Sequence, residues 1–409
     1  MTTKNKIFTP YQLFVVVILA ILQFTVVLDF MVLSPLSDIL IKDLKVNTTQ
    51  FSLVVSSYAF SAGISGFLTA GFADKFDRKK LLLFFYSGFI LATLLCGLAP
   101  DYKLLLFARI LTGLFGGVIS SISYAIITDL FAMEIRGRVM GFIQMAFAAS
   151  QVIGIPVGLL LANRFGWHSP FIMIVALSLV MISLVSFKLK PVDAHLATKS
   201  EKKPFKHLFA TITNSNYLKG FAATCLLATG GFMLNQFGGA YTINNLQLSQ
   251  NQLPLLFGIT GIFSIIAGPL IGKISDKQGK YKIFLIGSLF CMLMVGIYTQ
   301  LGPSPFWKVL LVQIFLFIFV SARMIPSQAL MSGVPEPKDR GAFMSINSSV
   351  QYLAGGVSAY AAGFIVYQDK TGVFYHYEQL GYVVIASMIF SSIMMYFIHK
   401  MVIKKNKMS

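Results

Sequence analysis

Charge is what this sequence has least of. Only 12% of its 409 residues are Asp, Glu, Lys or Arg, against 56% hydrophobic, and the mean hydropathy is +0.75. A soluble chain of this length cannot clothe its exterior with so few polar groups, so a water-soluble globular fold is excluded. Cysteine is nearly absent. Cys96, Cys225 and Cys291 stand far apart inside apolar runs, which excludes a disulfide framework or a thiolate metal site and reads as buried free thiols. The five histidines, His168, His195, His207, His376 and His399, fall in loops or at span ends without metal spacing. No nucleophile–base arrangement accompanies them, so an enzyme is not expected. Nor is there an appended soluble domain through which a sensor could signal. The net charge of +18 would point to nucleic acid if the bases formed one soluble patch, but they alternate with apolar blocks and no nucleic-acid partner is expected.

What is present in quantity is long apolar sequence. Leu13 to Leu28, Leu81 to Ala99, Val139 to Ala162 and Phe221 to Tyr241 are examples. Blocks of about 20 residues match a hydrocarbon core about 30 Å thick at about 1.5 Å per helical residue. With no water to satisfy N–H and C=O groups in lipid, such blocks must be helices. Twelve spans are expected, at 11–36, 51–71, 81–99, 104–128, 139–162, 169–187, 217–241, 254–272, 282–300, 307–332, 342–366 and 379–403. Lys4 and Lys6 before the first block imitate a signal peptide, but the run is too long for one and no small-residue cleavage site follows. Between the sixth and seventh spans, 188–216 carries six lysines and little apolar matter, and reads as a linker with an interfacial turn around Phe205 to Phe209. With both termini on one side, 25 bases fall on that side, 6 on the other, and Arg109 and Arg323 within spans. That asymmetry places the termini and linker in the cytoplasm of a cell whose plasma (inner) membrane holds the protein.

The two halves repeat. Gly71-Phe72-Ala73-Asp74-Lys75-Phe76-Asp77-Arg78 after the second span is echoed by Gly272-Lys273-Ile274-Ser275-Asp276-Lys277 after the eighth, and Arg136-Gly137 by Arg340-Gly341. The fold expected is therefore all-α: six helices (1–187), a linker (188–216) and six more (217–409), as two pseudo-symmetric bundles with a substrate path between them.

At these residues the sequence resembles the major facilitator superfamily, over essentially its whole length. The loop containing Asp74 and Arg78 is similar to the one that marks the superfamily between helices 2 and 3, with Asp77 in place of the usual glycine. Arg109-Ile110-Leu111-Thr112-Gly113 through Gly117 resembles the fourth-helix motif of proton-coupled members. Gly154-Ile155-Pro156-Val157-Gly158, followed by Gly166-Trp167, resembles the fifth-helix motif of the arabinose-efflux-like and drug:proton antiporter branch, although the stricter antiporter form has Gly and Pro adjacent. The resemblance implies a monomeric secondary transporter without a bound cofactor, energised by the proton gradient. It also implies that Asp74 docks at the start of helix 11 near Gly341, that Arg78 pairs with Asp129, and that Asp276 mirrors Asp74 against the start of helix 5 near Gly137.

Fourteen of the fifteen acids fall in loops or at helix ends; Asp29 alone lies within a span. A lone carboxylate in lipid costs several kcal/mol unless paired, protonated or wetted. A site balanced between those conditions can load and release a proton; the plainer alternative is a permanent ion pair or a cap before Pro35. Asp29 stands about 25 Å up its span, and Arg109 about 8 Å below the outer end of its own, at similar height. The superfamily places helices 1 and 4 on the same cavity, so Asp29 and Arg109 are expected to form a switchable pair. Arg323 is the other charge within a span, read either as a ligand for an anionic substrate group or as a structural arginine near Pro326. Asn235 and Gln236 stand in a glycine-rich seventh helix suited to breaking. With Gln144, Asn347, Gln351 and Tyr58 they are candidate cavity residues, each also readable as inter-helix ties. Pro156 bends its helix; Gly154 and Gly158 permit close approach, either between the bundles or in ordinary packing. The expected function is proton-coupled export of a small organic compound. The alternative is proton-coupled uptake of a nutrient or metallophore.

Overall fold

A computed structural model describes residues 8–69, 75–193, 196, 204–336 and 339–408. Helices begin where a side chain can take the free N–H groups of a first turn. Thr9 and Gln12 form a capping box at the start of α1 (Pro10–Met31). The short α2 (Ser37–Asp43) and then α3 (Thr48–Thr69) follow. Asp77 caps α4 (Arg78–Gly97) and Asp101 caps α5 (Tyr102–Leu130). The fifth span is composite: α6 (Met133–Ala149), a π-helical turn (Ser150–Gly154) and α7 (Ile155–Phe165). Pro156 cannot donate to the preceding turn, and the wider π turn forms immediately before it. The first half closes with α8 (Ser169–Lys188).

The linker residues resolve into α9 (Pro204–Thr213), a short helix against the next span. The second half is α10 (Ser215–Asn235), the short α11 (Gly238–Asn244), α12 (Leu253–Gln278), α13 (Lys280–Thr299), α14 (Phe306–Met331), α15 (Arg340–Ile365) and α16 (Tyr377–Met408). A two-stranded hairpin, β1 (Tyr367–Gln368) with β2 (Phe374–Tyr375), joins the last two. In its turn the Thr371 hydroxyl, with the amides of Val373 and Thr371, holds the Asp369 carboxyl below the usual range. All twelve expected spans are present, in the two-bundle arrangement. Eleven are apolar and long enough to cross a membrane by composition alone among the described residues. The twelfth, α15, carries Ser345, Asn347, Ser349 and Gln351, and tolerates them because α3 and α10 cover that side of it. Leu91, Leu289 and Phe390, by contrast, face outward and suit only lipid.

The end of the molecule where α1 begins and α16 finishes is termed the near face, and the opposite end the far face. The halves meet along α3 against α15, and along the π turn and α7 against α12. Near the far face they also join through α2 and α11.

Candidate functional site

Asp29 lies in the last turn of α1, and its side chain turns into the first bundle. Arg109 Nη1 donates to Asp29 Oδ2 at 2.7 Å, and both residues are 0% exposed. The Thr93 hydroxyl of α4 donates to the other carboxylate oxygen at 3.5 Å. Arg109 Nε and Nη2 have no hydrogen-bond partner among the described residues; instead the guanidinium carbon sits 4.5 Å from the centre of the Tyr58 ring. The spacing of the fourth-helix motif explains how Tyr58 gets there. Gly113 and Gly117 follow Arg109 at intervals of four, on one face of α5. A Cβ on Gly113 would lie 2.3 Å from the Tyr58 carbonyl, and one on Gly117 2.6 Å from Ala62 Cα, so only glycine lets α3 lie directly on α5.

The pair is therefore walled off from the space between the bundles, which corrects the expectation that Asp29 and Arg109 line that cavity. Tyr58 covers Arg109, Phe30 packs on Tyr58 with centroids 5.3 Å apart, and Phe30 meets Phe232 of α10 at 5.5 Å. A continuous line of rings thus runs from the buried guanidinium to the second bundle.

Between the bundles lies a narrow cleft whose cavity volume is about 20 Å³, room for about one water molecule in this conformation. Ser34, Gln151, Asn235, Phe257, Thr260 and Phe317 are among its walls. Asn235 is where the sequence placed it. Gln151 and Thr260 were missed, since a single amide or hydroxyl on a helix shows its facing only when the helix phase is known, and the π turn shifts that phase at Gln151. Other expected cavity residues serve as ties. Gln236 stands in the break between α10 and α11 and donates to Ser52 Oγ at 3.0 Å and to the Ala359 carbonyl at 2.8 Å, joining α3 to α15 instead of lining the cleft. Asn347 accepts from Thr224 Oγ1 at 2.6 Å. Gln351 is half-buried on α15. The side chain of Gln144 is outside the described residues.

Arg323 points into the second bundle and not into the cleft. It is 4% exposed and donates from Nε to Ser288 Oγ at 3.2 Å and from Nη2 to Ser391 Oγ at 2.6 Å, on α13 and α16. No carboxylate pairs with it among the described residues. In this conformation it ties α14 to α13 and α16.

Of the expected gate, Asp74 lies outside the described residues. Arg78 Nε donates to Asp129 Oδ2 at 3.3 Å, joining α4 to α5. Asp77, the replacement for the motif glycine, caps α4 through Lys79 N and also accepts from Val192 N at 3.0 Å, so it ties the linker to the first bundle. Asp276 is not docked at the start of α6. Its side chain is 73% exposed and lies 4.0 Å from Lys280, because it belongs to the last turn of α12, which extends past the expected loop. Gly154 packs against Leu28 of α1 and Gly158 against Val32 just beyond it, in their own bundle, and of the three motif residues only Pro156 reaches across, to Gly258 of α12.

The far face carries a lock that the sequence reading did not single out. Asp38, fully buried on α2, binds Lys42 at 2.8 Å and accepts from Asn244 Nδ2 at 2.6 Å and Gln250 Nε2 at 3.4 Å across the seam. The Ala240 amide donates to Ser37 Oγ at 2.9 Å, Asn163 reaches the Gln250 carbonyl at 3.1 Å, and Ser34 Oγ donates to the Asn235 carbonyl. Hydrogen bonds to a charged group are worth about 1.5–3 kcal/mol net, so Asp38→Ala should leave the far face open in a measurable fraction of molecules. Spin labels at Asp43 and Asn251 would report it as a second, longer distance by double electron–electron resonance; one unchanged distance would assign closure to packing alone.

The Major Facilitator Superfamily model matches residues 19–359 and 221–406. An uncharacterized MFS-type transporter of Bacillus subtilis, YceJ, is 28% identical over 84% of this chain and 87% of its own length. The multi-drug resistance efflux pump PmrA of Streptococcus pneumoniae is 23% identical over 82% and 84%. The crystal structure of a D-xylose–proton symporter superposes with a TM-score of 0.77 at 17% identity, covering 93% of this chain and 97% of that one. All three are named as transporters, and none as an enzyme. With its twelve spans, two bundles and buried arginine pair, this chain belongs to the Major Facilitator Superfamily and is an integral membrane transporter.

Proposed function

We propose that this transporter is a proton-coupled exporter of a small organic compound, with Asp29 carrying the coupled proton and both termini in the cytoplasm. It resides in the plasma (inner) membrane and uses the proton gradient, with no bound cofactor. The observation that carries the reading is the Asp29–Arg109 pair, sealed from solvent yet linked through Tyr58 and Phe30 to Phe232 of the opposite bundle. A protonated Asp29 no longer holds the guanidinium by charge. Arg109 is then free to shift beneath Tyr58, and the ring contacts carry that shift to the seam. Two arrangements of the seam, biased by one proton, are what alternating access requires. With the basic near face in the cytoplasm, the locked far face is the outer one, and Asp38 and its partners must part before the substrate leaves on that side. The efflux-pump relative favours export over uptake.

Reconstituted protein should move its substrate against a gradient when the outside is acidified and stop when a protonophore is added. A flux indifferent to the pH gradient would remove proton coupling. Phe232→Ala interrupts the line of rings but leaves the ion pair intact. It should lower gradient-driven flux about tenfold, the effect of losing a ring contact worth about 1.4 kcal/mol, while substrate counterflow persists. Equal losses in both assays would make Phe232 a packing residue only.

A further inference from the structure

Among the described residues, the walls of the cleft hold no charge. Ser34, Gln151, Asn235 and Thr260 supply its polar groups, and Phe257 and Phe317 its rings. Thr260 is 2% exposed, and its hydroxyl finds no hydrogen-bond partner among the described residues. A buried hydroxyl left in that condition loses its hydration without recompense, so a ligand that reaches it is favoured. The intramembrane charges stand elsewhere. Asp29 and Arg109 neutralise one another behind Tyr58, and Arg323 is turned away toward α13 and α16.

From this we infer that the transported compound is uncharged: a partly apolar molecule with hydroxyl or amide groups, held between Thr260, Asn235 and Gln151 and against Phe257 and Phe317 when the cleft widens around it. A cation placed there meets no carboxylate and an anion meets no base, and either surrenders its hydration for neutral dipoles. Hydroxyl and amide groups, by contrast, meet a donor and an acceptor on each of the three polar side chains. The inference rests on the transport reading above and adds a consequence to it. Exchange of a neutral molecule for protons moves net charge, so the membrane potential drives the cycle as well as the pH difference.

Binding to the full chain in nanodiscs, with no gradient present, tests the substrate class apart from proton coupling. The probes are a series of neutral aryl β-glucosides, phenyltrimethylammonium as the cation and phenylacetate as the anion. The glucosides should bind, and Thr260→Val and Asn235→Leu, both close in volume, should each weaken them about tenfold, as expected for the loss of one hydrogen bond. Gln151→Glu should admit phenyltrimethylammonium. Failure of every glucoside to bind overturns the inference, and so does wild-type binding of either charged probe that Thr260→Val and Asn235→Leu weaken. Proton coupling fails by a different result: a bound glucoside whose flux ignores both pH and potential.

Discussion

Asp29→Asn should reduce transport driven by a pH gradient to the level of empty vesicles, while exchange of labelled for unlabelled substrate continues. The substitution removes the titratable group but keeps its shape, so the cleft is untouched and only the link to the proton is lost. It also leaves Arg109 buried without its counter-ion, and breaking one partner of such a pair costs about 3–5 kcal/mol. Loss of transport could then reflect loss of folded protein, and a second variant separates the two. Asp29→Asn combined with Arg109→Gln replaces an ion pair by two amides able to bond each other. The double variant should regain thermal stability toward wild type and still show no gradient-driven flux. Full gradient-driven flux in Asp29→Asn would end the coupling role of Asp29.

Gly239→Val should hold the far face open. At that position α11 rests directly on the turn after α1: a Cβ would lie 2.6 Å from the Pro35 carbonyl oxygen and 2.8 Å from that of Ser34. These are main-chain atoms, which cannot rotate aside as a side chain can. The closed far face therefore becomes inaccessible, whereas Asp38→Ala only weakens it. The distance between labels at Asp43 and Asn251 should move wholly to a longer value, and net transport should cease, because alternating access requires both states. Wild-type distances together with wild-type flux would show that the seam yields at this point.

How far the site could be read in advance follows from what sequence can encode. Span positions rest on apolarity and length, and the helices begin within a few residues of the expected places. The height of Asp29 against Arg109 follows from counting residues at a fixed rise, and the two side chains do meet. Rotation about the helix axis is another matter. Asp29 and Arg323 each turn into a bundle and not into the cleft, and nothing in a run of Leu, Val and Phe separates those directions. The π turn before Pro156 alters the phase again, and Gln151 went unnoticed while Gln144 was named. Gln236 looked like a cavity amide because the break expected in its glycine-rich helix does not show which way the amide turns, and its bonds to Ser52 and Ala359 are tertiary contacts. Asp38 was taken for an ordinary loop acid, since its partners Asn244 and Gln250 lie more than two hundred residues away.

The polarity of α15 has a bearing on how the protein is made. A helix this rich in serine and amide side chains gains little by leaving the ribosome for hydrocarbon alone, where each such group is a debit against insertion. It becomes favourable only once α3 and α10 are in place to receive those groups, so its entry into the bilayer must be a late, assisted event. Biogenesis and architecture thus converge on one surface: the helix that needs companions to enter the membrane is the one along which the two bundles meet.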